Sequence, residues 1–353
     1  MNVRSHVAGL VPMFAAAAVL AACGSSSAIS SSASGVSTTV AGTPTTSLGS
    51  VTIAKAVNTE DLTAVDVAQK EGYFTKAGVD VKSILVGGSS VVNASLQSGS
   101  VQFGLASAAA VLLAESHNIP LIVVGAITQG DNAQLVVSDA WIKSHNLSPA
   151  EPIASRIKGL EGTKFARLST SDGAALSDFE QESGVPASSI SNVAINSESA
   201  MLAAMQHGLV QEFIASPPTS TIAVSDGLGT VLASAKDLKF GAGQEYNVLI
   251  TTPAYAKAHS AIVTAVTTAL GKALSDMSAQ TPAALAAVQS VFPTLTPGVV
   301  KSSLEFFSFA KGMEQSQTGW NDALSFAEAT GILKPGVVVS VSEGGIWTNQ
   351  YLK

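Results

Sequence analysis

The sequence offers very few of the side chains that build metal or redox sites. Cys23 is its only cysteine among 353 residues, so neither an intramolecular disulfide nor a cysteine-rich metal site can form. The five histidines are scattered, and no two of them stand three or four residues apart, which argues against a zinc or iron site. We therefore expect no metal and no other cofactor.

Charge is scarce as well. Charged residues make up 12% of the chain, and the formal net charge is −7. Because nucleic acid is itself strongly negative, this balance argues against a nucleic-acid partner. No Lys or Arg stands between residues 83 and 142. A ligand site formed by that stretch would have to use hydroxyls, amides and backbone N–H groups.

The familiar enzyme motifs are missing. The chain has no G-x-S-x-G, no P-loop, no H-E-x-x-H and no complete G-x-G-x-x-G. Counting residues does not exclude a Ser-His-Asp triad, but no serine stands in an elbow motif. We therefore expect a protein that is not an enzyme.

Residues 1–22 have the form of a signal peptide: Arg4 is followed by an apolar run from 7 to 22. The run ends in Leu-Ala-Ala-Cys, which resembles the bacterial lipobox, where cleavage precedes a cysteine that becomes lipidated. This favours a lipoprotein anchored through Cys23 over a secreted protein with a stray cysteine. Residues 23–50 would then be the lipidated cysteine and a flexible tether, since 15 of the 27 residues from 24 to 50 are Ser or Thr.

The stretch from 71 to 124 alternates between two patterns. Short apolar runs at 79–86, 101–105 and 121–124 predict strands, and the segments 89–98 and 108–117 between them predict helices. This alternation predicts a parallel sheet, in which ligands lie beyond the carboxyl ends of the strands. Gly88, Ser89, Ser90 and Ser107 stand at those ends.

Five segments of this stretch carry a family resemblance. They read GYF (72–74), GVDV (78–81), VGGSS (86–90), ASLQSGSVQFG (94–104) and NIPLIVV (118–124). In order and spacing they resemble the substrate-binding proteins of nitrate, sulfonate, taurine and thiamine-pyrimidine importers. The chain departs from that pattern at Ser95, where the family has Ala, at Gln102, where it has Asp, and at Asn118, where it has Gly.

The resemblance implies an α/β fold of the type II periplasmic-binding-protein kind, with two lobes joined by two crossovers. Each lobe would hold a central, mainly parallel sheet flanked by helices. Residues 51–132 would begin lobe 1, residues 133–252 would form lobe 2, and residues 253–353 would be the mostly helical return to lobe 1. The implied partners are a small-molecule ligand, an ABC permease and its ATPase. The protein would be a monomer, lipid-anchored on the extracytoplasmic face of the cell membrane.

Candidate ligand-binding residues stand on the loops that such a cleft would use. The first lobe offers Asn58, Thr59, Gly88, Ser89, Ser90, Ser107 and Gln129, and the second offers Ser169, Thr170, Ser171, Asp172 and Ser216. Hydroxyl-rich loops at helix starts can hold a small anion through backbone N–H groups. The alternative is an ordinary helix cap, which we also expect for Glu60 and Asp61 over contact with a donor-bearing ligand.

The sequence therefore predicts a solute-binding lipoprotein that captures a small polar ligand and delivers it to an ABC permease. A sulfonate, a nitrate-like anion and a related small organic molecule are the ligands that the resemblance implies. The absence of an aromatic near Ser216 favours a small polar one. Two alternatives remain. One is an enzyme on the same fold, which would be either a lyase or an enzyme similar to a thiamine-pyrimidine synthase. The other is a ligand-sensing lipoprotein without a transporter.

Overall fold

The computed structural model describes residues 47–168, 170–186, 189–239 and 241–353, without the side chains of residues 170–172 and 174. Cys23, the signal segment and most of the predicted tether lie outside these ranges, as does Ser169. Residues 45–353 form one compact unit. In the described part of the chain, every helix is too short or too polar to span a bilayer.

The first lobe is built on a six-stranded sheet in the order β11-β4-β10-β3-β1-β2. Its strands are β1 (Gly49–Lys55), β2 (Val79–Leu85), β3 (Phe103–Ser107), β4 (Ile122–Gln129), β10 (Glu245–Thr251) and β11 (Ser308–Phe309). Strands β1, β2 and β3 pair in parallel, whereas β10 lies antiparallel between β3 and β4. Apolar side chains run almost continuously along the central strands β3 and β4 because both faces of the sheet are covered.

Helices cover both faces of the first sheet. They are α1 (Ala64–Lys70), α2 (Tyr73–Lys76), α3 (Ser89–Gln97), α4 (Ala108–Ser116), α10 (Pro253–Ala258), α11 (Ser260–Ser278), α12 (Pro282–Val291), α13 (Pro297–Phe306) and α14 (Gln317–Ala329). One apolar core joins the sheet to α1, α11, α12 and α13, and a second joins it to α3, α4 and α14. The lobe is thus a three-layer α/β/α unit.

The second lobe has a five-stranded sheet in the order β7-β6-β8-β5-β9. Its strands are β5 (Gln134–Ser138), β6 (Lys164–Arg167), β7 (Ser191–Ala194), β8 (Glu212–Ala215) and β9 (Gly229–Ser234). Its helices are α5 (Asp139–His145), α6 (Ile153–Lys158), α7 (Thr170–Ser183), α8 (Glu198–Gln206) and α9 (Thr219–Ser225). Separate apolar cores lie on its two faces, so this lobe has three layers as well.

The predicted two-lobed α/β architecture is confirmed, with two refinements. Most strands of each sheet share one direction, but the pairing is mixed because β10, β11 and β5 run against their neighbours. The predicted boundaries also shift: β1 already begins at Gly49, and β10 belongs to the first sheet. The chain therefore returns to lobe 1 before Glu245, earlier than the boundary that the sequence placed at residue 252.

Two chain crossings connect the lobes and run side by side. Residues 130–133 lead from β4 to β5, and residues 235–244 lead from β9 back to β10. The Gly130 N–H donates to Gln244 O at 2.7 Å, and the Asp131 N–H donates to Gly241 O at 2.8 Å. A third backbone bond runs from Ala235 N to Ala133 O at 2.9 Å. These bonds hold the two connections together at the base of the cleft.

The last part of the chain returns to the first lobe. Val123 of β4 donates its N–H to Ile346 O at 2.8 Å and accepts from Thr348 N at 3.0 Å. Trp320 and Trp347 are buried in the core of this lobe. The prediction that the carboxyl-terminal helices pack back on lobe 1 is confirmed.

Candidate ligand-binding cleft

A cleft of about 750 Å³ lies between the lobes, above the two crossings. Lobe 1 contributes the loop after β1, the starts of α3 and α4, and the region around the end of α14. Lobe 2 contributes the ends of β6 and β8 and the first turns of α8. A volume of this size fits a small organic ligand.

The floor of the cleft carries a hydrogen-bonded group of polar side chains. The Asn247 amide donates to Asp61 Oδ2 at 2.6 Å, and the Asn132 amide donates to the same oxygen at 3.3 Å. Asp61 itself is almost fully buried. Burial raises the pKa of this carboxyl, and the donors from Thr59 and Asn247 offset only part of that rise.

A second carboxyl lies on the first crossing. Asp131 accepts from the Ala133 N–H at 2.8 Å and from the Tyr246 hydroxyl. Burial raises the pKa of Asp131 and raises that of Tyr246 well above its usual range, in the latter case with help from the two aspartates. The first crossing, the start of β10 and the loop after β1 thus place acidic and amide side chains at the base of the cleft.

Helix starts form part of the walls. Ser107 caps α4 by accepting from the Ala110 N–H at 3.3 Å, and its own N–H donates to Ser89 Oγ at 3.4 Å. On the opposite lobe, Ser197 caps α8, while Glu198 accepts from the Thr219 hydroxyl at 2.8 Å and faces the cleft. Ser197 thus satisfies one backbone N–H group at the start of α8.

The remaining lining is apolar and includes aromatic rings. Leu62, Met201, Ile214 and Phe326 all face the cleft, and the ring of Tyr246 adds to them. No local pattern pointed to Phe326, because α14 begins almost two hundred residues after β4. The aromatic rings of the cleft therefore come from segments other than the loop near Ser216, where the sequence analysis looked for one.

Some of the residues predicted to bind the ligand line the cleft, and others do not. The cleft is lined by Thr59, Ser89, Ser107 and Ser216. That these four bind the ligand stays a prediction. Asn58 and Ser90 are exposed, and neither they nor Gly88, the N-cap residue of α3, belong to the lining.

Five other predicted positions remain: Gln129, Ser169, Thr170, Ser171 and Asp172. The Gln129 amide donates to Glu245 Oε1 at 3.3 Å and to Glu314 O at 3.4 Å inside lobe 1, and Gln129 is not among the lining residues, so its role in ligand binding stays a prediction. Ser169 lies outside the described residues. Thr170, Ser171 and Asp172 form the first turn of α7, without described side chains.

The sequence analysis missed most of the polar residues on the floor of the cleft. It expected Asp61 to cap a helix, whereas Asp61 lines the cleft and Glu60 is buried outside the lining. It did not select Asp131, Asn132, Tyr246 or Asn247 as ligand-binding residues. The available signal was the polar turn at 130–132, which stands where the chain was expected to cross between lobes.

A family model identifies the family of this chain. The family model described as NMT1/THI5 like matches residues 59–284. The chain belongs to the NMT1/THI5-like family. The matched range contains both crossings and the whole second lobe, so it includes most of the cleft lining, whereas Phe326 and its neighbours at the end of α14 lie beyond it. No curated protein sequence matches the chain.

Solved structures of similar fold agree with this family. The aliphatic sulphonate binding protein SsuA from Escherichia coli matches with a TM-score of 0.62 and 16% identity, covering 80% of this chain and 86% of that chain. The alkanesulfonate-binding protein SsuA from Xanthomonas axonopodis pv. citri, bound to MOPS, matches with a TM-score of 0.61 and 18% identity, covering 82% and 96%.

A third match is the periplasmic nitrate-binding protein NrtA from Synechocystis PCC 6803, with a TM-score of 0.57 and 11% identity, covering 81% of this chain and 83% of that chain. The names of these three proteins describe binding proteins rather than enzymes. At such low identity the likeness shows a shared fold. The chain therefore has the periplasmic-binding-protein fold.

Proposed function

We propose that this protein is an extracytoplasmic solute-binding lipoprotein that delivers a small polar ligand to an ABC importer. The observation that carries the proposal is the cleft at the lobe boundary, with polar groups on the first crossing and at the start of β10. In this arrangement a ligand contacts both lobes and the connections between them, so binding favours closure. The family membership and the named roles of the similar structures support the same function.

The cleft also supports an organic ligand over a small inorganic anion such as nitrate. Its volume of about 750 Å³ exceeds what nitrate fills, and Leu62, Met201 and Phe326 offer apolar contact. Polar groups on the floor would then orient the ligand, while the apolar walls bury the rest of it. Sulfonates and other small organic molecules both fit this description.

A substitution at the start of α3 tests the cleft. We expect Ser89→Trp to lower ligand affinity at least about tenfold, roughly 1.4 kcal/mol, because the indole would occupy space that the ligand needs. The measurement is native mass spectrometry of the full-length protein, purified in detergent, to detect a co-purified small molecule. The wild type should carry one and the variant should have lost it.

Ser90→Trp is the matched control, because the neighbouring residue is exposed and lies outside the cleft lining. It should retain the co-purified molecule. If the wild type carries no small molecule, or if both variants retain it equally, the proposed binding site is wrong.

The lipid anchor has a test of its own. We expect Cys23→Ser to abolish incorporation of labelled palmitate and to move the protein from the membrane fraction to the extracytoplasmic fluid. The reason is that the thiol is the only acylation site that the lipobox offers. Labelling and fractionation of cells that express the full-length chain would measure both effects. Palmitate labelling that persists in the variant would contradict the anchor.

The membrane partner distinguishes a binding protein of an importer from a ligand sensor. Genes for a permease and an ATPase next to the gene for this chain would favour delivery to a transporter. A neighbouring gene for a membrane receptor alone would favour the sensor.

A further inference from the structure

We infer that the cleft recognises a positively charged ammonium group on its organic ligand. This inference rests on the proposed solute-binding function and specifies which ligand the cleft takes. It departs from the anions that the sequence analysis favoured.

The charge of the lining gives the first argument. Asp61, Asp131 and Glu198 all face the cleft, and no described residue of the lining is Lys or Arg. The undescribed positions after residue 46 contain no Lys or Arg in the sequence either. Asp61 and Asp131 are buried, so their charged forms have no counter-charge from the protein within the described lining, whereas Glu198 is exposed. A ligand that carries a positive charge would supply that counter-charge.

The second argument is an acceptor without a partner. Asn132 is only 2% exposed and lies on the cleft floor. Its Nδ2 donates to Asp61 at 3.3 Å, which fixes the orientation of the amide, and its Oδ1 has no hydrogen-bond partner among the residues that the structure describes. An unpaired buried acceptor costs about 1–3 kcal/mol, so a ligand N–H that reached it would gain more than an ordinary hydrogen bond.

The starts of α3 and α4 argue in the opposite direction, but more weakly. A helix N-terminus carries about half a positive charge, so the two helices that begin near Ser89 and Ser107 would attract an anion. Three carboxyls face the same cleft. In addition, part of the N-terminal donor capacity of α4 is already used by the Ser107 cap. The balance of the described charges therefore favours a cation.

Arg167 does not reverse this balance. It lines an adjoining hollow of about 460 Å³ together with Asp178, and this hollow meets the cleft at Thr330 and Gly331. Arg167 is thus not among the lining residues of the cleft, and a carboxyl lines the same hollow. An anionic tail of a larger ligand could reach that hollow while the ammonium group occupies the cleft floor.

A panel of matched head groups tests the inference. Propyl, cyclohexyl and phenylethyl bodies would each carry an ammonium, a hydroxyl or a sulfonate, and isothermal titration of the full-length protein would compare them. Within each body, we expect the ammonium form to bind at least about tenfold more tightly than the other two. The uncharged form serves as a reference for the contribution of the apolar body.

Two substitutions test whether the carboxyls on the cleft floor cause the preference for ammonium. Asp61→Asn and Asp131→Asn should each reduce the preference for ammonium over hydroxyl about tenfold, with Asp226→Asn, on the exposed end of α9, as the control. The preference is a ratio measured within one variant, so it remains informative if a variant is less stable.

Each outcome has a definite meaning. Tighter binding of sulfonates than of amines, or an ammonium preference that survives both substitutions, would overturn the inference and leave the solute-binding function standing. If no member of the panel binds, the inference is overturned. In that case a molecule that co-purifies with the wild type still supports the binding function, and its absence would overturn that as well.

Discussion

Gly241→Ala is expected to destabilise the protein by about 2–4 kcal/mol. Gly241 lies on the second crossing, where its carbonyl accepts the Asp131 N–H at 2.8 Å. A methyl group at this position would lie 1.5 Å from Ala235 O and 2.5 Å from Ala235 C. Both are backbone atoms, so no side-chain rotation relieves the clash and the crossing itself must move. The hydrogen bonds between the two crossings would be strained as a result.

Gly243→Ala provides the control in the same connection. The nearest atom to its added methyl group is Asp322 Oδ2 at 3.3 Å, the end of a flexible side chain. We expect this variant to stay within roughly 1 kcal/mol of the wild type. Urea denaturation measures both free energies of unfolding. Equal stability of the two variants would show that the crossing tolerates the extra atom.

Most of the fold could be predicted because its signals are local. The strand and helix pattern between residues 79 and 124 appears in the structure as β2, α3, β3, α4 and β4, with boundaries that differ by a few residues except at the end of β4. Each element there is set by its own apolar run and by the small residues between runs. The order of strands in the sheet is different, because it depends on pairings between distant segments.

The strand β10 shows why pairing escapes a local pattern. Its sequence predicts a strand, and it is one, but nothing in that sequence says that it inserts between β3 and β4. This insertion places Tyr246 and Asn247 next to Asp61, Asp131 and Asn132. The most polar part of the cleft therefore arises from three segments that are far apart in the chain.

The two serines at the start of α3 show why the sequence does not predict which single residue faces the cleft. Ser89 and Ser90 are equivalent in composition, yet only Ser89 lines the cleft and Ser90 is exposed. Successive helical residues point about 100° apart, so one of two adjacent serines faces the ligand. Choosing between them requires the orientation of the helix, which the sheet and the opposite lobe determine.

A buried carboxyl in the second lobe leads to a prediction about pH. Glu212 is fully buried on β8, and Thr163 Oγ1 lies 2.6 Å from its Oε1. The Thr163 hydroxyl also lies 2.7 Å from Leu160 O, but it has only one proton to donate. Both contacts are hydrogen bonds if Glu212 is protonated and donates to Thr163. Burial raises the pKa of Glu212 to about 8, with a contribution from the nearby Glu180.

We expect Glu212→Gln to leave stability at pH 5 nearly unchanged and to raise it at pH 8.5 by about 2–4 kcal/mol. The folded wild type keeps a proton up to about pH 8, whereas the unfolded chain loses it near 4.5, the usual value for Glu. Between these values the folded state binds more protons, so the contribution of Glu212 to stability is complete below pH 4.5 and is lost as the pH rises through about 8. Glutamine keeps a donor for Thr163 and cannot ionise, and one pKa unit corresponds to about 1.4 kcal/mol.

Urea denaturation at both pH values, with the exposed Glu161→Gln as the control, measures the difference. Other buried carboxyls, such as Glu60 and Glu245, also have raised pKa values, but they are present in both proteins and cancel in the comparison. The gap between wild type and Glu212→Gln should therefore widen with pH, while the gap for Glu161→Gln should not. A gap for Glu212→Gln that is the same at pH 5 and pH 8.5 would mean that Glu212 is ionised in the folded protein. The Thr163 hydroxyl would then donate to the carboxylate and leave Leu160 O without that bond.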